Sequence, residues 1–153
     1  MKIRKAKPEE SKEISKLIRN TILKINSKHY PKKQMDFELS CYTPSKIRSY
    51  FTEKIIFCMV ENKKIIGVSI LNLKGKEVDS LYVNNKFIGK GFGWKLLTYV
   101  ERYSMKKGIK RIILHPTDYA LNFYKKCGYK IKRKFKGTKN GGYPVIEMEK
   151  ELK

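Results

Sequence analysis

Metal and disulfide chemistry have little to work with in this sequence. It holds three cysteines, Cys41, Cys58 and Cys127, widely spaced and odd in number, with no C-x-x-C pair, and its two histidines are His29 and His115. A zinc site is not expected, and free thiols in a reducing cytosol fit better than a disulfide framework. No apolar run is long enough to span a membrane, no signal-peptide pattern opens the chain, and no N-x-[ST] sequon occurs. A cytoplasmic location without membrane association is therefore the expectation. Internal repeats are absent, as is an aromatic-stacking motif of the kind that reads single-stranded nucleic acid.

Acids are also scarce. The 153 residues include 14 Asp and Glu against 36 Lys and Arg, a formal net charge of +22. The basic residues are spread throughout, with a modest cluster from Lys130 to Lys139. Such a surface attracts polyanions weakly and without specificity: nucleic acid, an anionic membrane, or a phosphate-rich ligand. A Lys- and Ile-rich compositional bias that mainly aids solubility accounts for it equally well. Hydrophobic residues make up 41% of the chain, so disorder is not indicated. The length suits a single domain, residues 1–153, with a sizeable core.

Periodicity divides the chain. Lys2 to Ala6 reads as a short strand. Pro8, Glu9 and Glu10 then open a helix in the favoured way, and Ile14, Leu17, Ile18, Ile22 and Ile25 lie on one face of it to about Asn26. His29 to Tyr42 is the least regular part. Thr43-Pro44-Ser45 starts another helix through Ile47 and Phe51. Ile55 to Val60, Ile65 to Leu73 and the strand from Glu77 form an antiparallel meander with turns at 61–64 and 74–76. Arg111 to Leu114 is a short strand, reached by a strand–helix–strand crossover that implies a parallel pair. Thr117 or Asp118 can cap a helix that ends at Gly128, and Tyr129 to Phe135 pairs with Pro144 to Leu152 across a basic, glycine-rich loop.

The stretch from Glu77 to Tyr103 organises the rest. Glu77, Asp79, Leu81 and Val83 alternate with Val78, Ser80 and Tyr82 as a strand does. From Phe92 on, Phe92, Leu96, Leu97, Val100 and Tyr103 follow helical spacing. Between them Gly89, Gly91 and Gly93 flank Lys90 and Phe92. Glycines there permit positive φ, and the first amides of a helix have no internal partners, so the turn is a cradle for an anion and suits a pyrophosphate. Counting from Gly89 puts Trp94 where a P-loop or a Rossmann fingerprint needs glycine, and from Gly91 the last Rossmann glycine falls on Leu96.

What remains, L-Y-V followed by I-G-K-G-F-G-W-K-L-L, resembles the acetyl-CoA-binding motif of the GNAT superfamily of N-acetyltransferases. That motif is a strand ending near L-x-V, then [QR]-x-x-G-x-[GA], then a helix. Gly91 and Gly93 match its small residues, and Ile88 stands where Gln or Arg is usual. A second segment, A-L-N-F-Y-K-K-C-G-Y from Ala120 to Tyr129, is similar to the family's A-x-x-F-Y-x-[KR]-x-G-[FY]. The position three before Ala120, where the family usually has Asn, is Thr117. The resemblance runs from Ile3 to Met148. It implies a mixed α/β (α+β) fold: a central, mostly antiparallel sheet of about seven strands with about four helices, splayed between the fourth and fifth strands.

The resemblance also implies a site. Leu81, Tyr82 and Val83 would hold the pantetheine arm of acetyl-CoA, amides of Gly89, Lys90, Gly91, Phe92, Gly93 and Trp94 its pyrophosphate, and Thr117, Tyr124, Lys90 and Lys126 would add contacts. Tyr124 matches the tyrosine that usually protonates the leaving sulfur, a reasonable match of a phenol near pKa 10 to a thiol of about 8.5. Cys127 reads as packing, so the amine attacks the thioester directly in a ternary complex. At pH 7 a lysine amine costs about 4.6 kcal/mol to deprotonate and an α-amine about 1 kcal/mol, so a lysine acceptor needs a base more urgently. Glu77 matches the glutamate of the histone-acetylating branch, and Asp79 is its rival. Tyr30, Gln34, Asp36 and Glu38 are candidate acceptor contacts, the last two and Glu77 and Asp79 able to make the pocket locally acidic. The expected activity is N-acetylation of a primary amine, small or on a protein. The alternative is a basic binding module for nucleic acid or ribosomes with little catalysis. Many members of the family dimerise, which leaves a homodimer open.

Overall fold

The structure, a computed structural model, describes residues 1–137 and 142–153. Its elements are β1 (Lys2–Lys5), α1 (Ser11–Lys24), α2 (Lys32–Ser40), α3 (Pro44–Tyr50), β2 (Ile55–Glu61), β3 (Lys64–Asn72), β4 (Glu77–Val83), α4 (Phe92–Lys106), β5 (Arg111–Leu114), α5 (Leu121–Lys126), β6 (Lys130–Lys136) and β7 (Pro144–Glu151). The seven strands form one sheet in the order β1-β2-β3-β4-β5-β7-β6, and only β4 and β5 run parallel. The fold class expected from the sequence is observed, with five α-helices rather than four. Part of the basic loop between β6 and β7 lies outside the described residues.

The sheet is covered on both faces. Ile14, Ile18 and Ile22 of α1, with Met35 of α2 and Ile47 of α3, pack on Ile56, Cys58, Val68 and Ile70. Leu96, Leu97 and Val100 of α4, with Tyr124 of α5, pack on the other face against Phe57, Met59, Leu71, Ile112 and Met148. The single 3-10 turn Pro8–Glu10 that leads into α1 is held by Glu10, whose carboxylate accepts from the Lys7 amide at 2.8 Å and the Arg4 guanidinium at 2.6 Å. Thr43 caps α3 by accepting from the Lys46 amide, with Pro44 in the first turn.

The helix α2 falls within the segment that looked least regular. Met35, Phe37 and Leu39 alternate with Asp36 and Glu38, a period of two that hides a helix. The backbone is helical even so, with Met35 buried and Phe37 exposed. Tertiary bonds hold it: Arg19 Nη1 donates to the Leu39 carbonyl at 2.6 Å, and Asn26 Nδ2 donates to Glu38 Oε2 at 2.8 Å.

Strict alternation along β4 also fails, at one residue. Ser80 pairs with Ile70 and Val78 with Leu71, so Asp79 has no partner on β3 and forms a β-bulge. Val78 and Leu81 consequently share the α4 face, while Tyr82 belongs to the α1 face. A bulge bends and twists its strand. Here it falls directly after the last β4–β5 pairs, Glu77 with Ile113 and Val78 with Leu114. Beyond that point β4 continues to Val83 while β5 ends at His115-Pro116, where proline removes a backbone donor. The two parallel strands part, and the gap opens toward the start of α4.

Candidate active site

A cavity of about 340 Å³ occupies the gap. Its walls are β4 from Val78 to Val83, the exit of β5 from Leu114 to Thr117, and the first turns that follow each. Leu81, Tyr82, Val83, Gly93, Thr117 and Tyr124 all line it, as does Asp79. At one end it meets Ile88 and Gly93, where the chain turns into α4. Gly89 and Gly91 have φ of +81°, and Gly91 is the residue that caps α4 without any side-chain hydrogen bond. Inside the helix the Lys95 amide bonds the Gly91 carbonyl, which leaves the amides of Phe92, Gly93 and Trp94 without an internal acceptor. A Cβ on Gly93 would stand 3.4 Å from the Phe123 ring. The turn thus presents bare backbone N–H groups and the positive end of a helix dipole.

Tyr124 is 92% buried and points its ring into this space against Phe123 and Tyr129. Among the described residues no group hydrogen-bonds its hydroxyl, and burial holds its pKa well above that of a free phenol. Lys90 and Lys126 contribute less: the Lys90 ammonium lies 5.6 Å from the centre of the Phe87 ring, and Lys126 is exposed in the last turn of α5.

The two candidate bases are differently placed. Asp79 borders the cavity, with Lys54 Nζ 2.5 Å from its Oδ2; burial raises its pKa and the ammonium opposes that rise. Glu77 instead accepts from His115 Nδ1 at 2.6 Å. The other ring nitrogen of His115 donates to Glu147 Oε1 at 3.1 Å, and Glu147 also receives Arg133. With both carboxylates ionised and accepting, the imidazole that bridges them is the doubly protonated form. The Glu77 hydrogen bond is the main cause of a raised His115 pKa, and the Arg133 hydrogen bond the main cause of a lowered Glu147 pKa.

A second space, a groove of about 400 Å³, adjoins the cavity through a shared wall of His115, Pro116 and Thr117. Tyr30, Gln34 and Glu38 line it together. Gln34 and Glu38 are one helical turn apart on α2, while Asp36 lies on the far side, exposed and paired with Lys32 at 2.7 Å. Three of the four candidate acceptor contacts therefore converge and Asp36 does not. Sequence reasoning passed over His115, Lys54, Asp118 and Tyr119. Tyr119 lines the cavity, stacks on His29 at 4.5 Å and donates to Asn26, with burial lifting its pKa to about 12. Its position just before the second motif was the available signal.

A mixed sheet parted beside a glycine-capped helix, with a buried phenol in the gap, defines a class of proteins that take a phosphate-bearing ligand between two strands. The chain belongs to the GNAT acetyltransferase family: that family's model matches residues 19–129. A GCN5-related N-acetyltransferase from Rhodopseudomonas palustris superposes with a TM-score of 0.88 at 21% identity, over 99% of this chain and 95% of that one. The PaiA N-acetyltransferase from Thermoplasma acidophilum, in complex with coenzyme A, gives 0.83 at 20% identity over 98% of both chains. The ribosomal-protein-S18-alanine N-acetyltransferase from Escherichia coli gives 0.75 at 14% identity, over 99% and 93%. No curated protein is significantly similar in sequence.

Proposed function

We propose that this chain is an acetyl-CoA-dependent N-acetyltransferase that acts on a primary amine in a ternary complex. The observation that carries the reading is the continuous path from the bare amides of α4 into the gap between β4 and β5, ending at Tyr124, whose hydroxyl has no partner among the described residues. The residues present fit the cofactor. Amides of the 89–94 turn would hold its phosphates, with Lys90 and Lys126 near enough on the chain to add charge. Backbone of Leu81, Tyr82 and Val83, freed from β5 by the bulge, would hold its extended arm, and Thr117 would border it. When bound, acetyl-CoA supplies an activated acetyl group and a thiol leaving group.

The chain's own groups do the rest. Tyr124, kept protonated by burial, is placed to give its proton to a departing sulfur anion. A free thiolate is a weaker base than phenolate, so the proton passes as the C–S bond breaks, and desolvation of the sulfur in the same space narrows the gap between the two pKa values. Asp79 is the better-placed base of the two acids, because it borders the cavity and burial raises its pKa. Glu77 is engaged by His115 and acts in this reading through that imidazole, by holding the wall between cavity and groove. Tyr30, Gln34 and Glu38 would position the acceptor.

A thiol-release assay over a panel of amines, with calorimetric titration of coenzyme A, tests the reading. Thiol release that depends on an added amine supports it. No heat on titrating coenzyme A removes it. Salt-dependent nucleic-acid binding without turnover would favour the basic-module alternative instead.

A further inference from the structure

We infer that the acceptor is a small amine carrying at least one further positive charge. The inference rests on the acetyltransferase reading and narrows its acceptor. Lysine and arginine make up 36 of 153 residues, yet among the described residues neither the cavity nor the groove has one in its lining. Elsewhere the surface behaves as its composition dictates. A depression of about 820 Å³ at the opposite end of the parallel pair is walled by Lys76, Lys110, Arg111 and Lys132. Another, beside α1 and β3, includes Lys16, Lys64 and Lys86.

The acids of the cavity wall and those of the groove are differently paired. Asp79, Glu77 and Glu147 each have a basic partner within 4 Å. Glu38 and Asp118, which face the groove, have none among the described residues, although cations outnumber acids more than twofold. Glu38 is half-buried and is met only by the neutral amide of Asn26. An acceptor bearing a carboxylate would meet these two acids with no lysine or arginine among the described lining residues to balance it, since His115 is already taken by Glu77 and Glu147. A second ammonium would supply the missing charge. Aromatic rings add to the fit: Tyr30 lines the groove and Tyr119 the cavity beside it, as a cation prefers.

Tyr124, a buried ring at the cavity wall whose hydroxyl has no hydrogen-bond partner among the described residues, is an independent mark of where chemistry occurs. With the reacting nitrogen in that cavity, the second charge falls across the His115–Thr117 wall into the groove. Local acids are needed here because a chain of +22 repels a cation at long range.

The test compares three acceptors of matched length at saturating acetyl-CoA: 1,4-diaminobutane, butylamine and 4-aminobutyrate. We expect kcat/KM for the diamine to exceed that for butylamine at least tenfold, and 4-aminobutyrate to be poorest. Replacing both acids (Glu38→Gln with Asp118→Asn) should collapse the diamine-to-butylamine ratio toward one. A wild-type ratio of one or less, or a ratio that the double variant leaves intact, overturns the inference. Absence of thiol release with every amine counts against the acetyltransferase reading instead. Calorimetry of 1,4-diaminobutane into the protein mixed with coenzyme A then decides the groove separately: heat lost in the double variant supports a cation site, and no heat in the wild type overturns it.

Discussion

Tyr124 and His115 carry opposite lessons about single residues. Tyr124 is found in the second sequence motif, and its environment adds what the motif cannot: near-complete burial and a hydroxyl without a partner among the described residues. Tyr124→Phe keeps the ring packing against Phe123 and Tyr129 and removes one proton. We expect kcat to fall about a hundredfold, within the range for a general acid, while the Kd for coenzyme A stays within about threefold. Equal turnover in that variant would strip Tyr124 of its role. His115 has no motif around it, and its partners Glu77 and Glu147 lie 38 and 32 residues away in the chain. Its raised pKa makes it a source of pH-dependent stability. The contribution is complete below the unfolded value near 6.5 and is lost as pH rises through the higher folded value. Glu147, lowered by Arg133, contributes above its unfolded value near 4.3 and loses that as pH falls. The melting-temperature gap between wild type and His115→Gln should therefore be widest near pH 6 and narrow by pH 9. A gap constant over that range would contradict the doubly donating imidazole.

Among the elements, β4 and the turn after it decide what the cavity is. Apolar spacing located the strand, but a bulge is set by pairing with β3, and only that pairing leaves Asp79 over. The bulge explains why Leu81 follows Val78 onto the α4 face and why β5 is left behind. The glycine turn was legible in the sequence because Gly91 adopts a φ of +81° that a side chain resists by about 1–2 kcal/mol. A Cβ at Gly91 meets no atom within 4 Å, so the first effect of Gly91→Val is conformational. We expect coenzyme A affinity to drop more than tenfold by calorimetry, with a modest loss of melting temperature. Unaltered affinity would mean the α4 amides do not bind phosphate. The helix α2 is the element sequence reasoning lost, and with it the face that brings Gln34 and Glu38 together and turns Asp36 away.

At the scale of the whole molecule, charge is the dominant feature. A field from +22 draws anions inward and holds cations off until they reach the groove. Salt should then act oppositely on the two substrates: between about 0.05 and 0.5 M, where the Debye length shrinks from well above to well below 10 Å, the Kd for coenzyme A should rise several-fold while the KM of a diamine falls or holds. A diamine KM that climbs in parallel with the coenzyme Kd would show that the bulk charge does not oppose the second substrate. The chain alone determined the architecture and the turn, because alternation, helical spacing and glycine placement are local properties that survive without knowledge of neighbours. Tertiary structure decided the bulge at Asp79, the helical face at 34–38, the His115 bridge and, among the described residues, the absence of lysine from both linings. Each of these depends on groups far apart in sequence meeting in space, and a linear pattern carries no record of such meetings.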